Sequence, residues 1–353
     1  MATITGTAAG ETLTGTRFDD DISGLGGNDT IRGRAGNDRI NGGADDDLMI
    51  GRTGNDHYFV DSTLDRVAER AGEGDSDTVF TTISYILRRN IEELELRGTA
   101  ERGVGNDLEN RIYVADQFAR VDNVLNGRGG ADLMAGGRGD DTYYVDDVND
   151  VIEDFDENTL GVGINDTVRS TISFDLGQYD AGADVENLVL LGNAALDGTG
   201  GIAANRIVGN DADNVLRGLG GSDTLRGEGG DDKLFGGDDG PEDTLIGGAG
   251  MDEFYFEFAN FNSADRLPDF SSADDSIHLD RGGFTKMPAG ELPESAFVEG
   301  TAAQDADDRI VYDAATGLLY YDKDGSGAAE AIIFAVVAPD TEVNANDFFG
   351  YGG

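Results

Sequence analysis

Between Gly24 and Gly43 the chain reads GLGGNDTIRGRAGNDRINGG, with one aliphatic residue in every nine. Over the first sixty residues the apolar position falls on Leu13, Ile22, Ile31, Ile40, Met49 and Tyr58. A glycine opens each unit, at positions 6, 15, 24, 33, 42 and 51, and an acidic residue precedes each apolar one: Glu11, Asp20, Asp29, Asp38, Asp47 and Asp56. This period fits neither a helix nor a plain alternating strand. The unit Gly-Gly-x-Gly-x-Asp-x-apolar-x predicts a tight glycine-rich turn followed by a very short strand whose middle side chain points inward. Two units make one coil of about 18 residues, and stacked coils form two parallel sheets around a thin core.

The pattern returns twice. Gly127 and Gly136 open units with Asp132 and Asp141 at the acidic position, and Met134 and Tyr143 at the apolar one. Weaker units precede them from Gly105 and Phe118, with Asn110 and Asn123 in the acidic place. A third block opens at Gly200, Gly209, Gly218, Gly227, Gly236 and Gly247. Its acidic position reads Asn205, Asn214, Asp223, Asp232, Asp243 and Asp252, and its core position Ile207, Leu216, Leu225, Leu234, Leu245 and Phe254. The unit from Gly236 is longer than the rest.

Two inserts separate the blocks and resemble each other: YFVDSTLDRVAE…NIEELELRG from Tyr58, and YYVDDVNDVIE…DVENLVLLG from Tyr143. Their alternating β-branched and aromatic residues predict strands in longer coils, with Leu94 and Leu96, or Leu188 and Leu190, facing inward. After Phe254 the period is lost, and DRLPDFSSADDSIHLD and the stretch 307–338 predict a β-rich cap, which repeat arrays need. At the other end ATITGT predicts a minimal extra strand, the alternative being a second molecule over the open edge. The resulting division is 1–60, 61–104, 105–146, 147–199, 200–256 and 257–353, alternating repeat blocks with inserts and ending in the cap. DKDGSG at 322–327 imitates the start of a helix–loop–helix calcium loop, but Ile333 replaces the glutamate at its twelfth position, so it reads as a hairpin turn.

Composition sharpens this picture. The 353 residues carry 71 acidic against 25 basic side chains, a net charge of −46, with 54 glycines and neither Cys nor Trp. Such a chain repels nucleic acid and anionic membrane surfaces. One aliphatic residue per nine cannot offset an ordering entropy of roughly 1–2 kcal/mol per residue. Carboxylates such as Asp29 and Asp47 should stack one strand spacing apart, about 4.7 Å, where bare charges repel by roughly 1 kcal/mol in water and more inside a protein. A hard dication reverses that sign. Ca²⁺ suits a ring of carboxylates and turn carbonyls better than Mg²⁺; Zn²⁺ is disfavoured without Cys, and His57 and His278 read as surface or turn residues.

These blocks resemble the calcium-binding nonapeptide repeats of the RTX (hemolysin-type) family of bacterial secreted proteins. The resemblance implies an all-β parallel β-roll with several Ca²⁺ ions between its turns. Carried over, the carboxylate ligands are Asp29, Asp38, Asp47 and Asp56; Asp132 and Asp141; and Asp223, Asp232, Asp243 and Asp252. Turn-carbonyl ligands would come from Gly24, Gly26, Asn28, Gly33, Ala35 and Asn37 in the first block, and Gly218, Gly220, Ser222, Gly227, Gly229 and Asp231 complete the metal sites of the third. Phe18 and Asp45 depart from the motif at the inner glycine, and the four Asn turns lack its charge. The cap and the tail Asp347-Phe348-Phe349…Tyr351 are similar to the ends of proteins exported by type I secretion, which implies that apparatus as a partner and a location outside the cell or at its surface.

No His-Glu-x-x-His or Gly-x-Ser-x-Gly motif is present, no apolar run reaches membrane-spanning length, and the N-terminus has no cleavable signal pattern. With repeats starting at Gly6, no upstream catalytic domain is expected. The expected function is a non-enzymatic, calcium-binding surface, matrix or adhesion module that folds on Ca²⁺; the alternative is a calcium-dependent self-assembling structural protein, hence a homo-oligomer.

Overall fold

The computed structural model describes residues 1–116, 120–153, 165–179, 185–237, 241–257 and 264–352. Phe118 and part of the extended Gly236 unit lie outside them. The described residues contain strands and three short 3-10 turns. The chain forms two compact units, one built on Met1–Arg169 and the other on the residues from Glu186 on.

In the first unit, strands Ala2–Thr5, Asp20–Ser23, Arg39–Asn41 and His57–Val60 lie side by side in parallel. Strands Thr12–Thr14, Thr30–Ala35, Leu48–Thr53 and Arg66–Val67 do the same in a second sheet. Consecutive nine-residue units thus alternate between two parallel sheets, and the architecture is a parallel β-roll. The extra strand expected at ATITGT is there: Ala2 pairs with Asp20 and Ile4 with Ile22. Strands are longer than the motif predicts. Thr30–Ala35 continues into the next turn because Arg34 and Arg52 still pair after the core position, each at positive φ, 88° and 79°.

The core is a single file of side chains. Ile22, Ile31, Ile40, Met49 and Tyr58 are fully buried, as are Leu216, Leu225, Leu234, Leu245 and Phe254 in the second unit. The inserts extend the coils. Thr78–Thr81 pairs with His57–Val60, and Glu93–Leu96 follows it in the same sheet with Leu94 and Leu96 buried. Asn187–Leu190 likewise buries Leu188 and Leu190.

In the second unit parallel coiling gives way to a cap. Ile310–Asp313, Leu318–Tyr321 and Ile332–Val337 form an antiparallel meander. Its last strand pairs in parallel with Asp265–Leu267, while Phe348–Tyr351 pairs with Ser276–Asp280. Phe284, Phe334, Phe348 and Tyr312 fill this cap. DKDGSG connects two antiparallel strands, as a hairpin turn does.

Candidate metal centre

The repeat aspartates are buried: Asp29, Asp38, Asp47, Asp56, Asp132, Asp141, Asp223, Asp232, Asp243 and Asp252 each keep at most 3 % exposure. Their two oxygens have different surroundings. Each Oδ1 accepts the backbone N–H of the residue at the acidic position one coil earlier. Asp20 N–H donates to Asp38 at 2.8 Å, and Asp38 N–H to Asp56 at 2.7 Å. Glu11 N–H donates to Asp29, and Asp29 N–H to Asp47, both at 2.8 Å. In the other blocks the acceptors are Asp132, Asp141, Asp223, Asp232, Asp243 and Asp252.

Oδ2 is the chemically open atom. In Asp29, Asp38, Asp47, Asp56, Asp132, Asp223 and Asp232 it is enclosed by protein without a hydrogen-bond partner. Asp243 and Asp252 are not in this set. Each Oδ2 lies against the Cα of its own unit's first glycine, and a Cβ there would collide with it at Gly24, Gly33, Gly42, Gly51, Gly127, Gly136, Gly218, Gly227, Gly236 and Gly247. Beside Gly24, Gly218 and Gly227 the same space meets the carbonyl of the first glycine one coil later: Gly42, Gly236 and Gly247. A carboxylate oxygen and a carbonyl oxygen therefore converge on one cramped space with no donor between them. An unpaired buried carboxylate oxygen is costly, and oxygens without donors are the surroundings that a hard cation fits.

The acid–base character of the site follows from this enclosure. Desolvation pushes Asp56, Asp132, Asp223 and Asp232 up to about 7 and Asp38, Asp47, Asp243 and Asp252 up to about 6, against the pull of the N–H bond each accepts. A neighbouring carboxylate adds to the rise at Asp38, Asp47, Asp56, Asp132, Asp223, Asp232 and Asp252. Metal-free, these groups resist carrying their charge.

The turn positions divide into two roles. First-position glycines border the carboxylates. Fifth-position residues form a separate, exposed ladder in the opposite sense, which the sequence did not reveal. Asn37 N–H donates to Asp19 and Asn55 N–H to Asn37, both at 2.9 Å, while Asp231 accepts from Met251 at 2.8 Å. Asn28 accepts from Asp46 at 3.5 Å, and the Ser222 hydroxyl donates to the Glu242 carbonyl at 2.6 Å. Third-position residues are spacious: Gly26, Gly220 and Gly229 have no neighbour closer than 3.6 Å to an added Cβ, and Ala35 already carries one. Asp45, at an inner-glycine position, adopts φ 80° and accepts from Gly27 N–H.

The Asn turns are closed internally. Asn110 accepts from Asn106 N–H at 2.6 Å and donates to the Ile91 carbonyl at 3.0 Å. Asn214 accepts from Asn210 and donates to Leu196; Asn205 accepts from Gly201 and donates to Glu186. Asn123 donates to Ala100 but leaves its own Oδ1 unpartnered. Several insert and cap aspartates close their turns in another way. Asp65 accepts Asp47 N–H on one oxygen, and Asp61 and Ser62 N–H on the other. Asp275 does so with Asp252 and Ser271.

A parallel β-roll whose turns present enclosed carboxylate oxygens and converging carbonyls is a cation-binding repeat protein. The model of the RTX calcium-binding nonapeptide repeat matches four segments, residues 5–37, 23–58, 121–152 and 199–240. The repeats in these segments are calcium-binding repeats of this type. A 64-residue stretch is 42% identical to an endo-1,3-1,4-beta-glycanase, ExsH, of Rhizobium meliloti (strain 1021). That likeness covers 18% of this chain and 14% of the glycanase, so the chain spans only a small part of the length of the relative it matches.

Proposed function

We propose that this is a secreted, non-enzymatic protein that folds when it meets external Ca²⁺ and then serves as a surface, matrix or adhesion module. The observation that carries this reading is the enclosed, donor-free Oδ2 repeated from Asp29 to Asp56 and again at Asp132, Asp223 and Asp232. Those carboxylates, with Asp141, Asp243 and Asp252 and the adjacent first-glycine carbonyls, would hold the ions; Ca²⁺ supplies the positive charge that lets them ionise without repulsion. The exposed fifth-position residues and the roomier third-position ones complete the turns. Repeat blocks 1–60, 105–146 and 200–256 bind the ions, inserts 61–104 and 147–199 space them, and 257–353 caps the roll and directs type I export.

Extracellular calcium modules bind at about 10⁻⁴–10⁻³ M. At cytosolic calcium the chain would remain extended for export, because binding and folding share one free energy. The test is far-UV circular dichroism in EDTA and in ~5–10 mM CaCl₂, a range chosen from those affinities, with sedimentation velocity on the same samples. The expected result is little β signal in EDTA and a β-rich monomer in calcium. Native-like β signal in EDTA would refute calcium-driven folding. A calcium-dependent oligomer would favour the self-assembling structural protein instead.

A further inference from the structure

We propose that Asp77, which lies in the first insert beyond the in-register repeat block, is an additional Ca²⁺ ligand, and that the ion ladder of the first unit runs one turn past that block. This rests on the calcium reading of the repeats. Asp77 has the surroundings of a repeat aspartate and, locally, the repeat's spacing, with Gly72 five residues before it and Val79 two after, but it is out of step with the block before it. It is 1 % exposed. Its Oδ1 accepts the Asp56 N–H at 2.7 Å, 21 residues away, so it follows Asp20, Asp38 and Asp56 on the same edge. Its Oδ2 is enclosed and has no partner. A Cβ on Gly74 would lie 2.5 Å from that Oδ2 and 2.6 Å from the Gly54 carbonyl, so two oxygens converge there beside a glycine. Asp77 N–H in turn donates to Glu92 at 2.9 Å, 15 residues on, where the ladder ends on a carboxylate.

The contrast with Asp65 makes the assignment specific. Asp65 is the next member of the other edge, and protein N–H groups engage both of its oxygens. One edge closes at Asp65 while the other remains open at Asp77. Burial, with help from Glu69, Asp56 and Glu92, pushes the Asp77 carboxyl up to about 8, in keeping with a group that lacks its counter-charge.

The experiment counts bound calcium per chain by equilibrium dialysis in the full-length protein and in Asp77→Asn, Gly74→Ala, Asp65→Asn and Asp232→Asn, with circular dichroism in saturating calcium as a folding check. Asn at 77 can donate to a turn carbonyl as Asn110 does, and Gly74→Ala blocks the space without altering charge, so two independent changes reach the same site. The expected result is one ion fewer in Asp77→Asn and in Gly74→Ala, and no loss in Asp65→Asn. Unchanged uptake in both Asp77→Asn and Gly74→Ala, beside a loss in Asp232→Asn, overturns the Asp77 site alone. Unchanged uptake in Asp232→Asn as well overturns the repeat sites beneath it.

Discussion

At the scale of the residue, aspartate and asparagine at the sixth position are two solutions to one problem. A turn that buries a carboxylate leaves Oδ2 without a donor, as in Asp232. A turn that buries an amide supplies its own donor: Asn214 reaches the Leu196 carbonyl at 2.9 Å and accepts from Asn210 at 2.8 Å. The two substitutions Asp232→Ala and Asn214→Ala should therefore fail differently. Asn214→Ala leaves buried backbone groups unpaired, which costs about 1–3 kcal/mol, and the loss should be similar at every calcium concentration that folds the chain. Asp232→Ala removes a ligand and should raise the calcium midpoint of folding several-fold. Calcium titrations followed by circular dichroism separate the two; equal midpoint shifts would show that both turns respond to the ion alike. The sequence exposed the missing charge at Asn214 but not its replacement bond, because the partner carbonyl of Leu196 comes from the preceding coil.

At the scale of the element, the motif's glycines are not equivalent. The first one is required by contact: a Cβ on Gly227 would collide with Asp232 Oδ2 and the Gly247 carbonyl. The third is not, since Gly220 has 3.6 Å to its nearest neighbour and no positive φ. Gly227→Ala should thus abolish calcium binding at its turn and raise the folding midpoint, while Gly220→Ala should change it by less than a factor of about two, within the usual range for surface substitutions. Calcium titration of the pair decides it, and a matching loss in Gly220→Ala would mean that the third position also borders the ion. Outward-facing residues add a second device. Phe235, Tyr255, His278 and Phe349 stack along one sheet with centroids 4.2, 4.7 and 5.2 Å apart. Such cross-strand pairs help fix register, so the sequence's reading of His278 as surface filler understates it.

At the scale of the whole molecule, the balance of charge sets the response to pH. Metal-free, enclosure raises the carboxyls of Asp56, Asp132, Asp223 and Asp232 to about 7, above roughly 3.9 in an unfolded chain. A group raised on folding contributes stability that is complete below the unfolded value and is lost as pH rises through the folded one. The metal-free roll should therefore be most stable near pH 4 and weaken steadily to about pH 7. Asp20 opposes this: burial is outweighed by N–H bonds from Thr16 and Ala2, and its carboxyl is lowered. Calcium acts in the opposite direction, since it binds the deprotonated form, so its affinity should fall on acidification. Far-UV circular dichroism of calcium-stripped protein at about pH 4, 5.5 and 7.5, values that bracket the folded and unfolded carboxyls, checks the sign: any β signal should be greatest near pH 4 and smallest near pH 7.5. A β signal that rises with pH in the absence of calcium would reverse it.

The sequence by itself determined the coil. A nine-residue clock of glycine, acid and one aliphatic residue leaves one inward side chain per short strand, and Ile22, Ile31 and Ile40 occupy that place. It also marked the carboxylates, because an acid fixed in register with a core residue must turn with it toward the interior. What only the tertiary structure decided is what each carboxylate oxygen meets. Whether Asp29 Oδ2 stays open while both Asp65 oxygens are engaged depends on N–H groups from the adjacent coil and the local turn. Asp77 was missed because its unit, Gly72 to Phe80, is out of step with the block before it: it pairs with Asp56 across 21 residues. Local spacing fixes which way a side chain points, but hydrogen-bond satisfaction is settled between coils, and there the chain's own period no longer carries the information.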